Sequence, residues 1–266
     1  MRGKLKKLFA AVFAALLALS FSGCSELTGL DAQALMSPPK TTADREAIYA
    51  LMGGGVGDVT LVYPKYGDYR SAIISRDLDG CGTSEVVSFC ANGDAGGTRL
   101  EFFKKNTDGV WSSMARFTSA ATQVDKVFFG DLTGDGMDEI IVGWGDPLTA
   151  TASVSVYYVD GDTIREFSMT TVSYSEMLLT DFDSNNIKEL FVLQAAQTSG
   201  EEIMALGGLY RFDGDQPYVS KTVPLDAAVT RYTSVSFSQV NSWRRAAVLD
   251  GVKADGRMLT QVIGYD

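Results

Sequence analysis

The chain has 266 residues, 45% of them hydrophobic, with 27 glycines, 33 acidic against 23 basic residues, and no histidine. That composition supplies a sizeable core interrupted by many turns. The missing histidine excludes imidazole acid–base chemistry, serine or cysteine triads of the usual kind and histidine-metal centres. The net charge of −10 argues against a nucleic-acid partner, since an acidic surface repels phosphate.

Residues 1–23 read as a signal peptide. Arg2, Lys4, Lys6 and Lys7 precede an apolar run of 14 residues from Leu8 to Phe21, shorter than the span of about 20 that crosses a bilayer. The run ends in Phe21-Ser22-Gly23-Cys24, which resembles a bacterial lipobox. Cys24 is therefore the expected lipid acceptor, and two or more acyl chains would hold the protein stably to a bilayer. This places the protein on the extracytoplasmic face of a bacterial membrane. Removing the signal takes away four basic residues and leaves 19 against 33 acids, a net charge of −14. Residues 24–42, with Gly29, Ser37, Pro38 and Pro39, read as a linker. A helix is expected over Ala43–Met52, with Ile48, Leu51 and Met52 on one face and Gly53-Gly54-Gly55 ending it. Val59–Tyr63 and Ser71–Ser75 read as strands.

The stretch that organises the rest is Phe128–Trp144. Asp131, Thr133, Asp135 and Glu139 occupy positions 1, 3, 5 and 9 of a loop, with Gly136 at position 6. Alternating oxygen-bearing residues can turn inward around one hard cation, and the glycine permits the sharp turn. The spacing suits Ca²⁺ held between two buried strands; the alternative is a plain Gly-Asp-Gly turn. Upstream, Asp77, Asp79 and Glu85 repeat positions 1, 3 and 9, with Gly82 at 6 and Cys81 at 5. Downstream, Asp181, Asp183, Asn185 and Glu189 repeat the oxygens, with Asn186 at 6, asparagine being the next-best residue at positive φ. Met137 and Ile187, at position 7, complete the candidate ligand sets. A weaker echo starts at Asp250 and lacks oxygens at its third and fifth positions.

A second signal recurs in phase. Asp108-Gly109, Asp160-Gly161 and Asp213-Gly214 each separate two strand-like runs, the strongest short-range hairpin signature. One unit is therefore a strand, an acidic loop, a strand, a longer connection and a hairpin. Four strands in roughly 50 residues is the content of a propeller blade. The expected fold is all-β, a propeller-like repeat array of four-stranded blades over residues 43–266, with units starting near 71, 124, 174 and 243. Three full units and a partial one do not obviously close a ring. Either the strands between Val59 and Ser75 complete the last unit, or the chain is truncated, or partner chains supply the missing blades.

The acidic loops resemble those of FG-GAP or VCBS-type repeat proteins, whose Asp-x-Asp-x-Asp-Gly-x-x-Asp loops bind Ca²⁺ in β-propellers. The resemblance covers roughly Val59 to Asp266, with departures: glutamate at position 9 throughout, Cys81 and Thr133 in place of acids, Asn186 in place of glycine. It implies Ca²⁺ at the second and third loops rather than at the first. The segment Tyr66–Phe89 is more specifically similar to surface lipoproteins of Gram-positive gut bacteria that carry such repeats.

Cys81 and Cys90 lie mostly across one expected strand and are read as unpaired thiols, because an extended strand of five residues already spans about 17 Å. Paired carboxylates could still run glycoside hydrolysis, yet the conspicuous acids belong to the loops. Asp138 and the pair Glu201-Glu202 read as solvated turn or edge residues. Arg244-Arg245 after Trp243 are a weaker candidate for an anionic or sugar ligand. The favoured function is a lipid-anchored, non-catalytic, Ca²⁺-binding propeller that presents a surface to a protein or glycan. The alternatives are a carboxylate-based glycosidase or lyase on a propeller and a purely structural envelope lipoprotein.

Overall fold

The computed structural model describes residues 42–55, 57–146, 151–167, 172–199, 202–214, 216–239 and 245–264. The signal peptide, Cys24, most of the linker, Glu201, Trp243 and Arg244 lie outside the described residues, as does the side chain of Glu202. Helix α1, Ala43–Leu51, stops before the glycines as expected. After it the described residues are built from strands and one 3-10 turn, Gly93–Ala95, and all strands but one pair with neighbours in sequence.

The first sheet has the order β1 (Ile73–Arg76), β2 (Glu85–Ala91), β3 (Thr98–Lys105), β4 (Trp111–Ser119). The second has β5 (Gln123–Gly130), β6 (Glu139–Asp146), β7 (Thr151–Asp160) and β8 (Thr163–Glu166), with the two-residue β9 (Val172–Ser173) beside β7. The third has β10 (Glu176–Thr180), β11 (Glu189–Ser199), β12 (Glu202–Asp213) and β13 (Gln216–Pro224). The fourth has three strands, β14 (Val229–Gln239), β15 (Arg245–Lys253) and β16 (Met258–Gly264). All pairings are antiparallel. The fold is thus all-β apart from one helix, with four antiparallel sheets and no closed barrel.

Side-chain alternation assigns each face of a strand to a different core. Along β6, Ile140, Val142 and Trp144 pack with Phe89, Leu100 and Phe102 of the first sheet. Their neighbour Ile141 faces Met177, Leu190 and Phe212 of the third. Leu190 and Val192 of β11 face back to the second sheet, while Phe191 and Leu193 face Val229, Tyr232 and Leu249 of the fourth. The second strand of each of these sheets is buried on both faces, so its sequence reads as a continuous apolar run. Gly143 on β6 is required by close approach: a Cβ there would lie 2.4 Å from the Tyr174 hydroxyl. A fourth core lies under α1, where Ile48 and Met52 cover Val86, Cys90 and Phe103. Each such buried apolar side chain contributes about 1.5–3 kcal/mol.

The clusters therefore run in order: helix on first sheet, first on second, second on third, third on fourth. Among the described residues no core cluster joins the fourth sheet to the first.

Three expectations are corrected. The segment Val59–Tyr63 is not a strand of its own. Only Leu61 forms a bridge, to Cys90, and the neighbouring main chain bonds to Phe89 and Ala91. With β1 it lines the first sheet, so the residues between Val59 and Ser75 do not complete the last one. The fourth sheet begins at Val229, not near 243. Asp250 starts no loop: it sits inside β15, and its carboxylate accepts from the Ser234 and Thr260 hydroxyls. Asp255-Gly256 is instead the turn from β15 to β16, with Gly256 at φ 82°. Cys81 is exposed, Cys90 is buried, and both are free.

Candidate functional site

The acidic loops join the first two strands of the first three sheets, and the Asp-Gly hairpins join the last two. In an up-and-down meander both connections fall at the same end of a sheet, so loops and hairpins share one rim. Gly109, Gly161 and Gly214 take φ of 76°, 60° and 57°, as tight hairpin turns demand.

The three loops share one internal construction. The position-1 aspartate accepts the position-6 amide: Asp77 from Gly82, Asp131 from Gly136 and Asp181 from Asn186, each at 2.9 Å. Position 6 is left-handed in all three, including Asn186 at φ 71°. Position 4 is left-handed too, at Gly80, Gly134 and Ser184 (φ 69°, 84° and 64°); the sequence reading missed this because serine gives no such signal. The position-5 oxygens of Asp135 and Asn185 accept the position-7 amides of Met137 and Ile187.

The position-9 glutamates are the most buried acids of the loops: Glu85 is 3%, Glu139 2% and Glu189 1% exposed. Each accepts the position-2 amide, from Leu78 at 2.9 Å, Leu132 at 2.6 Å and Phe182 at 2.8 Å. That bracket drives Leu78, Leu132 and Phe182 into the three inter-sheet cores. The loops are also linked to one another. The Asp138 amide donates to the Leu78 carbonyl at 3.1 Å, and the Lys188 amide to the Asp131 carbonyl at 2.8 Å. Asp138 is an ion-pair partner of Arg76, not a solvated turn residue.

The electrostatics differ from loop to loop. In the first, ligand atoms of Asp77, Asp79 and Cys81 lie within 4.8 Å of one another, and Asp77 Oδ1 is buried without a partner. The hydrogen bond from Cys81 holds the Asp79 carboxyl below the usual range, whereas burial pushes Glu85 up. In the second, Thr133 Oγ1 is buried without a partner. Burial, with Asp135 and Asp131 nearby, pushes Glu139 up to about 8. Among the described residues Asp131, Asp135 and Glu139 form no ion pair. In the third, Asp181, Asp183 and Glu189 come within 4.8 Å of one another, and a guanidinium stands among them. Arg211 Nη2 donates to Asp183 Oδ2 at 2.6 Å and to Glu189 Oε1 at 2.7 Å. Burial raises Glu189 also, with Arg211 acting against it.

A cavity of about 140 Å³ lies between the second and third loops, lined by Thr133, Asn185, Glu189, Arg211 and Tyr218 among others. Two more, of about 230 and 350 Å³, lie between the third and fourth sheets and beside α1. Arg245, from the expected Arg244-Arg245 pair, stacks over Phe237 at 4.4 Å and donates to Ser184.

No family model and no curated protein matches the chain. Among solved structures it is similar to a PL11 rhamnogalacturonan lyase of Bacillus licheniformis, at 16% identity and a TM-score of 0.43. The match covers 74% of this chain and 44% of that one, so the chain spans less than half the length of the lyase.

Proposed function

We propose that the residues from Asp44 onward form a Ca²⁺-stabilised, non-catalytic binding module of propeller-like build. Lipidated Cys24 holds it to the outer face of a bacterial membrane, where it presents a surface to a protein or glycan. The observation that carries the metal reading is the second loop: Glu139 and the Thr133 hydroxyl are buried beside Asp131 and Asp135, and among the described residues no protein cation pairs with these acids. A buried carboxylate without a compensating charge, as at Glu139, is costly, and a hard cation with oxygen ligands relieves that cost. Asp131, Thr133, Asp135, Met137 and Glu139 would hold it. The first loop offers Asp77 Oδ1 in the same way, but Cys81 supplies a soft sulfur that suits Ca²⁺ poorly. Ca²⁺ would serve here as a structural charge that pins one loop against the next.

The test is the thermal midpoint of the full-length chain titrated with Ca²⁺, with Mg²⁺ as control. An ion at 100 times its Kd adds about 2.7 kcal/mol, a rise of roughly 5–10 °C for a domain of this size. Asp131→Ala is expected to abolish that rise. A flat titration would sink the metal reading, and turnover of a polysaccharide by the purified chain would sink the non-catalytic one.

A further inference from the structure

We infer that Arg211 is the resident cation of the third loop, so that this loop is charge-neutralised by the protein itself and takes no Ca²⁺. The inference stands on the third loop's own contacts and rests on the Ca²⁺ reading of the second only for the contrast.

The sheet register explains why one loop has a built-in cation. Leu190 on β11 pairs with Tyr210 on β12, which puts the next residue, Arg211, across from Glu189. The same step in the first sheet, from Val86 paired with Phe103, puts Lys104 across from Glu85. In the second, from Ile140 paired with Tyr157, it puts Tyr158 across from Glu139. The Lys104 ammonium turns away to Asp162 on the hairpin of the second sheet. The Tyr158 ring packs on Phe167 with centroids 4.4 Å apart. Among the described residues, only the third sheet sends its cross-strand cation into the loop.

Once there, the guanidinium satisfies the oxygens a metal would need. Glu189 has Oε2 on the Phe182 amide and Oε1 on Arg211. Asp183 has Oδ1 on the Asn185 amide and Oδ2 on Arg211. These are charge-assisted bonds, the stronger class, and a divalent ion entering the loop would have to evict the guanidinium from both carboxylates. The joint between the third and fourth sheets therefore stays locked at low Ca²⁺, and sensitivity to the ion is confined to the earlier loops.

The experiment counts bound Ca²⁺ by equilibrium dialysis on the full-length chain and three variants. Asp183→Asn is expected to leave the wild-type count unchanged. Arg211→Gln is expected to bind one additional Ca²⁺ per chain. Arg211→Lys, which keeps the charge, is expected to bind none extra. A count lowered by Asp183→Asn, or no gain in folded Arg211→Gln, overturns the inference. If Arg211→Gln does not fold without Ca²⁺, the Asp183→Asn count decides. Should the second loop bind nothing, the wild-type count falls to zero while the gain in Arg211→Gln still tests Arg211.

Discussion

The second and third loops share a frame, a glutamate bracket and an apolar anchor, yet they differ in what the sheet places beside their acids. Arg211 enters the third from across the sheet, whereas Tyr158 stands opposite the second, whose acids form no ion pair among the described residues. Counting acids in a loop therefore does not say whether the loop needs a metal. The deciding residue sits on a strand reached only through the register, and it can be changed without altering the loop.

The largest effect expected is one in which the two loops behave alike. Leu132→Ala and Phe182→Ala each remove a side chain that the glutamate bracket holds in an inter-sheet core. Each should cost about 3–4 kcal/mol, within the range for such truncations, read as a lower urea midpoint with or without metal. A near-neutral Phe182→Ala beside a costly Leu132→Ala would show that the joints are not equivalent. Next comes the contrast itself, measured in a chelator. Arg211→Ala should cost about 2 kcal/mol, less than a fully buried pair because its side chain is 29% exposed. Tyr158→Phe, which removes no charge, should stay within about 0.5 kcal/mol. Equal losses would remove the distinction drawn between the two sheets. The smallest effect sharpens the shared backbone. Gly136→Ala forces a Cβ into the left-handed region at φ 84° and should cost about 1 kcal/mol. Asn186→Gly, at φ 71°, should change stability by no more than about 0.5 kcal/mol.

Local patterns in the sequence were informative wherever the physics is local. Ile48 announced the buried face of α1 and Met52 the buried residue just past its end, although Leu51 is only half-buried and the buried Tyr49 was not foreseen; the Asp-Gly pairs announced hairpins, and Asn186 was legible as a glycine substitute. What stayed hidden depends on pairing at a distance. Arg211 lies 22 residues from Glu189, and only the β11–β12 register brings them together. The bracket from Glu139 to the Leu132 amide was hidden because position 9 reads as a ligand turned toward a cation, not as an acceptor for the loop's own main chain. Asp250 misled for the opposite reason: it copies the start of the motif, but the residues after it pair continuously along β15, and two hydroxyls take its carboxylate.

The strand order also has a consequence for how the chain acquires its structure. Apart from β9, each strand hydrogen-bonds only to strands adjacent to it in sequence, so every sheet closes through short loops. Topologies of this kind keep contacts local, which favours fast folding relative to β-structures that join distant segments. Where each unit touches only its neighbours, structure can nucleate in any sheet and spread along the row. Among the described residues the three-stranded fourth sheet packs against another sheet on one side only, so it is the expected place for fraying to start.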